Sequence, residues 1–144
     1  MDGLGVVGVV ALAAVLIAVL GFGLLRRRYD GRIRTVPTVQ GSSLANLGIP
    51  LPAERATIVA FTGEFCGTCA QARTLVERVL LDTPDVGHVE VDVAEHLNAV
   101  RALDIRRTPT LIIVDRHGVP VHRASGMPRE AELREAVSEL AAQR

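Results

Sequence analysis

The sequence predicts an α/β domain, a helix-covered sheet in the order β-α-β-α-β-β-α, preceded by one membrane-spanning helix. Three observations predict it. An unbroken apolar run opens the chain. Short β-branched runs then alternate with stretches whose apolar residues recur every three or four positions. Finally, the chain's two cysteines, Cys66 and Cys69, stand three residues apart where the first such run gives way to the first such stretch.

From Leu4 to Leu25 there are 22 consecutive uncharged residues, nearly all Val, Leu, Ala, Ile or Gly. As a helix they span roughly 30 Å, the thickness of bilayer hydrocarbon. A buried core helix is rarely so long without a polar position. A cleaved signal peptide would carry a basic start and a shorter apolar core; here only Asp2 precedes the run, and Arg26-Arg27-Arg28 follows it. Residues 4–25 therefore read as a transmembrane anchor in contact with lipid. Arg26, Arg27, Arg28, Arg32 and Arg34 follow the span and no basic residue precedes it. The positive-inside rule puts the C-terminal side in the cytoplasm and the N-terminus outside; the alternative is an extracytoplasmic domain.

Residues 26–53, with Gly31, Pro37, Gly41, Ser42, Ser43, Gly48, Pro50 and Pro52, have the composition of a linker, with one short helical turn around 43–47. Such a linker would let the domain of residues 54–144 stand off the membrane. That domain carries 11 Arg against 14 Asp plus Glu. The chain has no Trp and one Tyr. Neither a basic surface nor stacking aromatics are present, which excludes a nucleic-acid partner. Two cysteines in one motif exclude a disulfide-rich scaffold.

Within the domain, Thr57–Thr62 reads as a buried strand ending at Gly63. Ala72, Leu75, Val76, Val79 and Leu80 then mark a helix with one buried face. Val89, Val91 and Val93 alternate with polar residues as a half-buried strand, and residues 94–103 read as a short helix. Leu111–Val114 is a buried strand. Asp115–Gly118 turns the chain into Val119–Ala124, which Pro120 marks as an edge strand. Pro128 opens the last helix, whose stripe is Leu133, Ala136, Val137, Leu140 and Ala141. No internal repeat is visible.

The chemistry lies in the cysteines. A helix start leaves N–H groups unpaired and carries about half a positive charge, which favours an anion. Cys66 is expected there, its thiol shifted from about 8.5 toward the roughly 3.5–7.5 range of such motifs. Cys69 is expected one turn later, more buried and within disulfide reach. Zinc is the rival use, with His88, His96, His117 or His122 completing a site. However, no second C-x-x-C or H-x-x-x-H exists, and those histidines read as solvent-facing.

Phe65-Cys66-Gly67-Thr68-Cys69 after a strand, Thr108-Pro109-Thr110 before the next strand pair, and Ser125-Gly126 before the last helix together resemble the thioredoxin family over residues 57–144. With one N-terminal anchor, the arrangement looks like the membrane-tethered thioredoxin-like, or TlpA-like, proteins of bacteria. The resemblance implies a thioredoxin-like fold, a redox-active Cys66–Cys69 disulfide, and thiol–disulfide exchange with protein substrates that needs no metal or cofactor. It implies a cis peptide at Pro109, and a peptide groove of Phe65, Gly67, Thr68, Thr108, Pro109 and Gly126. It also implies a thioredoxin reductase or other thiol donor as partner. Phe65 stands where the family usually has Trp, keeping an apolar lid. Thr68 replaces Pro, and Ala60 replaces a buried acid. The family's first strand and helix are absent or shortened into the linker. Alternative readings are a redox-inactive binding module of this fold, or an extracytoplasmic reductase for exported or cytochrome-assembly proteins.

Overall fold

A computed structural model describes residues 2–36 and 43–142, in two units, one of residues 1–30 and one of residues 31–144. The first unit is a single helix, α1 (Asp2–Tyr29). Val7–Arg26 is the segment long and apolar enough to cross a membrane, and its large apolar side chains are exposed along the whole length.

The second unit is a five-stranded sheet in the order β1-β5-β4-β2-β3. Its strands are β1 (Arg34–Thr35), β2 (Thr57–Thr62), β3 (Gly87–Asp92), β4 (Thr110–Val114) and β5 (Pro120–Ser125). The helices are α2 (Cys69–Leu80), α3 (Leu97–Ala102) and α4 (Glu130–Ala141), and a 3₁₀ turn occupies Leu44–Leu47. β2 and β3 are parallel, joined through α2, and every other pairing is antiparallel.

Strand alternation divides the core. Ile58, Ala60, Leu111, Ile113 and Ala124 face α2 and α4, where Leu75, Val76, Val79, Leu133 and Val137 are buried. Val59, Phe61, Val91, Ile112 and Val114 face the other way, against Leu44, Ile49, Ala99, Leu103 and Ile105. β2 and β4 are covered on both faces, hence their continuous apolar sequences.

Three expectations change. Part of the stretch expected to be linker belongs to the sheet: β1 pairs with β5, and Leu44 and Ile49 are core residues. Pro37, Gly41 and Ser42 of that stretch lie outside the described residues. Because β1 takes the edge, β5 lies inside the sheet. Pro120 is tolerated as its first residue, beyond the stretch that β1 covers. The last helix begins at Glu130, two residues after Pro128.

β1 is held as a strap. The Gly31 N–H donates to the Ser125 carbonyl (2.9 Å), Ile33 N–H to Glu132 Oε2 (3.0 Å) and Val36 N–H to the Val121 carbonyl (2.8 Å). Gly31 is required by its surroundings. Its φ is +74°, and a Cβ there would lie 1.7 Å from the Met127 carbonyl oxygen.

Candidate active site around Cys66 and Cys69

β2 delivers the chain to Gly63, whose carbonyl accepts the Cys66 N–H at 3.1 Å. The Cys66 carbonyl then accepts the Cys69 N–H at 3.2 Å, and regular helix starts at Cys69. Cys66 is thus in the turn before the helix, not on its first residue as expected. Gly67 and Thr68 take up that turn, a tight i→i+3 closure ahead of the i→i+4 ladder. Thr68 occupies the N-cap position but makes no side-chain cap; its hydroxyl lies 3.9 Å from Cys66 Sγ. The first turn of α2 holds no acidic residue to offset the positive end of the helix dipole.

The two sulfurs are joined, with S–S 2.02 Å and Cα–Cα 5.4 Å. Their exposures differ in the expected sense: Cys69 is 8% exposed and Cys66 is half-buried.

A second loop borders the pair. The Thr108–Pro109 peptide is cis, and Pro109 is buried. The Thr108 side chain lies 3.9 Å from where a Cβ on Gly63 would be, which brings this loop against the end of β2. The Pro109 carbonyl accepts the Gly126 N–H at 2.8 Å, and Gly126 has φ +92°, a conformation that favours glycine. Arg107 donates to the Ser125 carbonyl at 3.0 Å. Thr108, Pro109 and Gly126 therefore meet, with Thr108 beside the turn that carries the cysteines. Gly67 and Thr68 are exposed on that turn. Phe65, expected as an apolar lid, is 96% exposed: its ring stands in solvent beside Cys66 and covers nothing.

The thioredoxin family model matches residues 49–139. The chain belongs to the thioredoxin family. Solved thioredoxins agree in fold. Thioredoxin 2 from Pseudomonas aeruginosa PAO1, in its reduced form, is 27% identical over 72% of this chain and 92% of its own, with a TM-score of 0.56. Fasciola hepatica thioredoxin is 26% identical over 67% of this chain and 86% of its own, with a TM-score of 0.53. No curated protein matches the chain.

In this thioredoxin-family domain Ala60 is 3% exposed, within the apolar cluster under α2 and α4. Opposite it on β3 stands Glu90, bound at both oxygens by Arg73 of α2 (2.6 and 2.5 Å). That hydrogen bond, opposed by desolvation, holds the Glu90 carboxyl below the usual carboxylate range.

Two histidines expected to face solvent are covered instead. His122 on β5 is 12% exposed, with Nε2 3.4 Å from Glu139 of α4. His88 pairs in register with Ile58, and its Nε2 is buried without a hydrogen-bond partner. Alternation along β3 did place His88 opposite the valines. It gave no sign that the helices cover that face also. Among the described residues, no three His, Cys, Asp or Glu side chains are grouped to hold a metal.

Burial pushes the His88 imidazole below its ordinary 6.5, outweighing the nearby Glu90 and Glu77. The unfolded chain therefore takes up a proton first as pH falls through that value. Stability present above about pH 6.5 is lost on acidification toward the lowered folded value. Urea melts at pH 7.5 and 5.5 should show this loss, and His88→Gln should lessen it. An unchanged pH dependence in the variant would refute the assignment.

Proposed function

We propose that the chain is a membrane-anchored thiol–disulfide oxidoreductase that reduces protein disulfides through Cys66 and Cys69. The observation carrying this reading is the joined cysteine pair at the start of α2, Cys66 in the turn before it and Cys69 its first residue, the two unequally exposed. In the reduced protein the Cys66 thiolate attacks one sulfur of a substrate disulfide. A mixed disulfide forms, and the other substrate sulfur leaves as a thiolate that takes up a proton. Cys69, once deprotonated, attacks Cys66 Sγ; the second substrate thiol leaves, and the 66–69 disulfide holds the oxidising equivalent. Two electrons pass from the cysteines to the substrate, with no metal or bound cofactor. A thioredoxin reductase or another thiol donor restores the dithiol.

Thr108, Pro109 and Gly126 would offer backbone groups to an extended substrate peptide, with Phe65, Gly67 and Thr68 forming the opposite wall. The exposed Phe65 ring gives that wall an apolar contact that nothing in this chain uses. Val7–Arg26 would cross the bilayer, and by the positive-inside rule the arginines after it favour a cytoplasmic domain, where thiol systems would keep the dithiol reduced.

Alkylation tests this reading. In reduced protein, Cys66 should react with iodoacetamide at pH values where an ordinary thiol, of pKa about 8.5, is still protonated. In intact cells, a membrane-impermeant maleimide should reach it only after lysis. Two thiols of ordinary reactivity would favour a redox-inactive binding module instead.

A further inference from the structure

We infer that the redox site is held next to the bilayer, so that its substrates are disulfides lying close to a membrane surface. This rests on the redox and membrane readings just given. Arg26 ends the apolar span, and Gly31 is only five residues further on. Fully extended, five residues reach about 18 Å. They are shorter than that here, because the helix continues to Tyr29. The bound holds for any angle between helix and domain.

The point of attachment decides which end of the domain this leash holds. Gly31 is bonded to Ser125, and its nitrogen is 3.6 Å from where a Cβ on Gly126 would lie. Gly126 is in turn bonded to Pro109, and Thr108 lies beside Gly63, whose carbonyl holds Cys66. The leash therefore ends on the loops that border the cysteines. The opposite end of the sheet, at the Asp115–Gly118 turn, lies the length of β4 away, about 14 Å at 3.4 Å per residue.

A free linker over residues 26–53 would have an r.m.s. reach of about 30 Å and could extend much further. The strap removes that freedom. Arg32 and Arg34, both exposed on it, add attraction to anionic headgroups. A soluble disulfide loses nothing by this arrangement. One carried a few residues from another protein's membrane span gains the high effective concentration of a short double tether. The substrate class is therefore the membrane-proximal cysteine pairs of other membrane proteins.

The test uses the full chain, reduced and reconstituted in phosphatidylcholine–phosphatidylglycerol vesicles, in single-turnover assays. Co-reconstituted single-span peptides carry a disulfide about five or about forty residues from the span on Gly-Ser spacers. Insulin serves as the soluble substrate. The near disulfide should be reduced at least about tenfold faster than the far one. A Gly-Ser insertion of about twenty residues between Asp30 and Gly31 should shrink that preference to about threefold and leave the insulin rate unchanged. Equal rates for near and far peptides, with insulin reduced normally, would overturn the short-tether inference alone. Failure to reduce insulin would overturn the redox reading, and this inference with it.

Discussion

Cys66→Ser should abolish insulin reduction, lowering it by at least about a thousandfold, whereas Cys69→Ser should attack its substrate once and stop. The asymmetry follows from exposure: Cys66 is half-buried at the surface, while Cys69 is 8% exposed as the first residue of α2. A substrate sulfur can reach the first but not the second. Without Cys69 nothing resolves the mixed disulfide, so the variant should accumulate covalent adducts on Cys66, seen by mass spectrometry under non-reducing conditions. Loss of fold would not imitate this result. Closing so short a loop, with sequence separation 3, removes only about 2 kcal/mol of unfolded-chain entropy. Should the trapping be found instead on Cys69 in the Cys66→Ser variant, the assignment of attacking and resolving sulfurs would be reversed.

Much of this was legible in the sequence because period-two and period-3.6 patterns reflect burial directly. Val59 and Phe61 fall on one face of β2, Ile58 and Ala60 on the other, and both faces are covered. The cysteine pair was legible because few other arrangements place two thiols three residues apart at a strand–helix junction. What could not be read depends on neighbours distant in sequence. Arg34 and Thr35 are exposed and carry no apolar signal; only backbone pairing with Arg123 and His122 makes them a strand. His88 looks like the outward half of an alternating strand, yet its Nε2 is shielded. The helix start was displaced by one turn because a C-x-x-C spacing suits either a helix or the turn before it. Phe65 was expected as a lid because it stands where the resembled family usually has Trp, but its ring is exposed to solvent.

Gly31→Ala should release the strap while leaving the core folded. The substitution brings a Cβ to within 1.7 Å of the Met127 carbonyl oxygen and 2.7 Å of its carbon, at a residue whose φ is +74°. Something must move. Displacing Met127 would pull on Gly126, and through it on the hydrogen bond to Pro109. Lifting the strap costs less. Arg32, Arg34 and Thr35 are exposed, Ile33 is half-buried, and the hydrogen bonds from Gly31, Ile33 and Val36 contribute about 0.5–1.5 kcal/mol each. The expected local loss is thus about 3 kcal/mol, which should speed exchange of the Val36 amide by at least about a hundredfold. Amides of β2 and β4, covered on both faces, should keep their protection, and insulin reduction should continue. In vesicles the near-over-far preference should fall as it does with the inserted linker, because residues 31–36 then lengthen the leash. Gly31→Asn separates the two causes: asparagine tolerates a positive φ but still carries the offending Cβ. It should therefore release the strap as alanine does. If asparagine restores slow exchange at Val36, backbone conformation rather than the contact with Met127 is what demands glycine at this position.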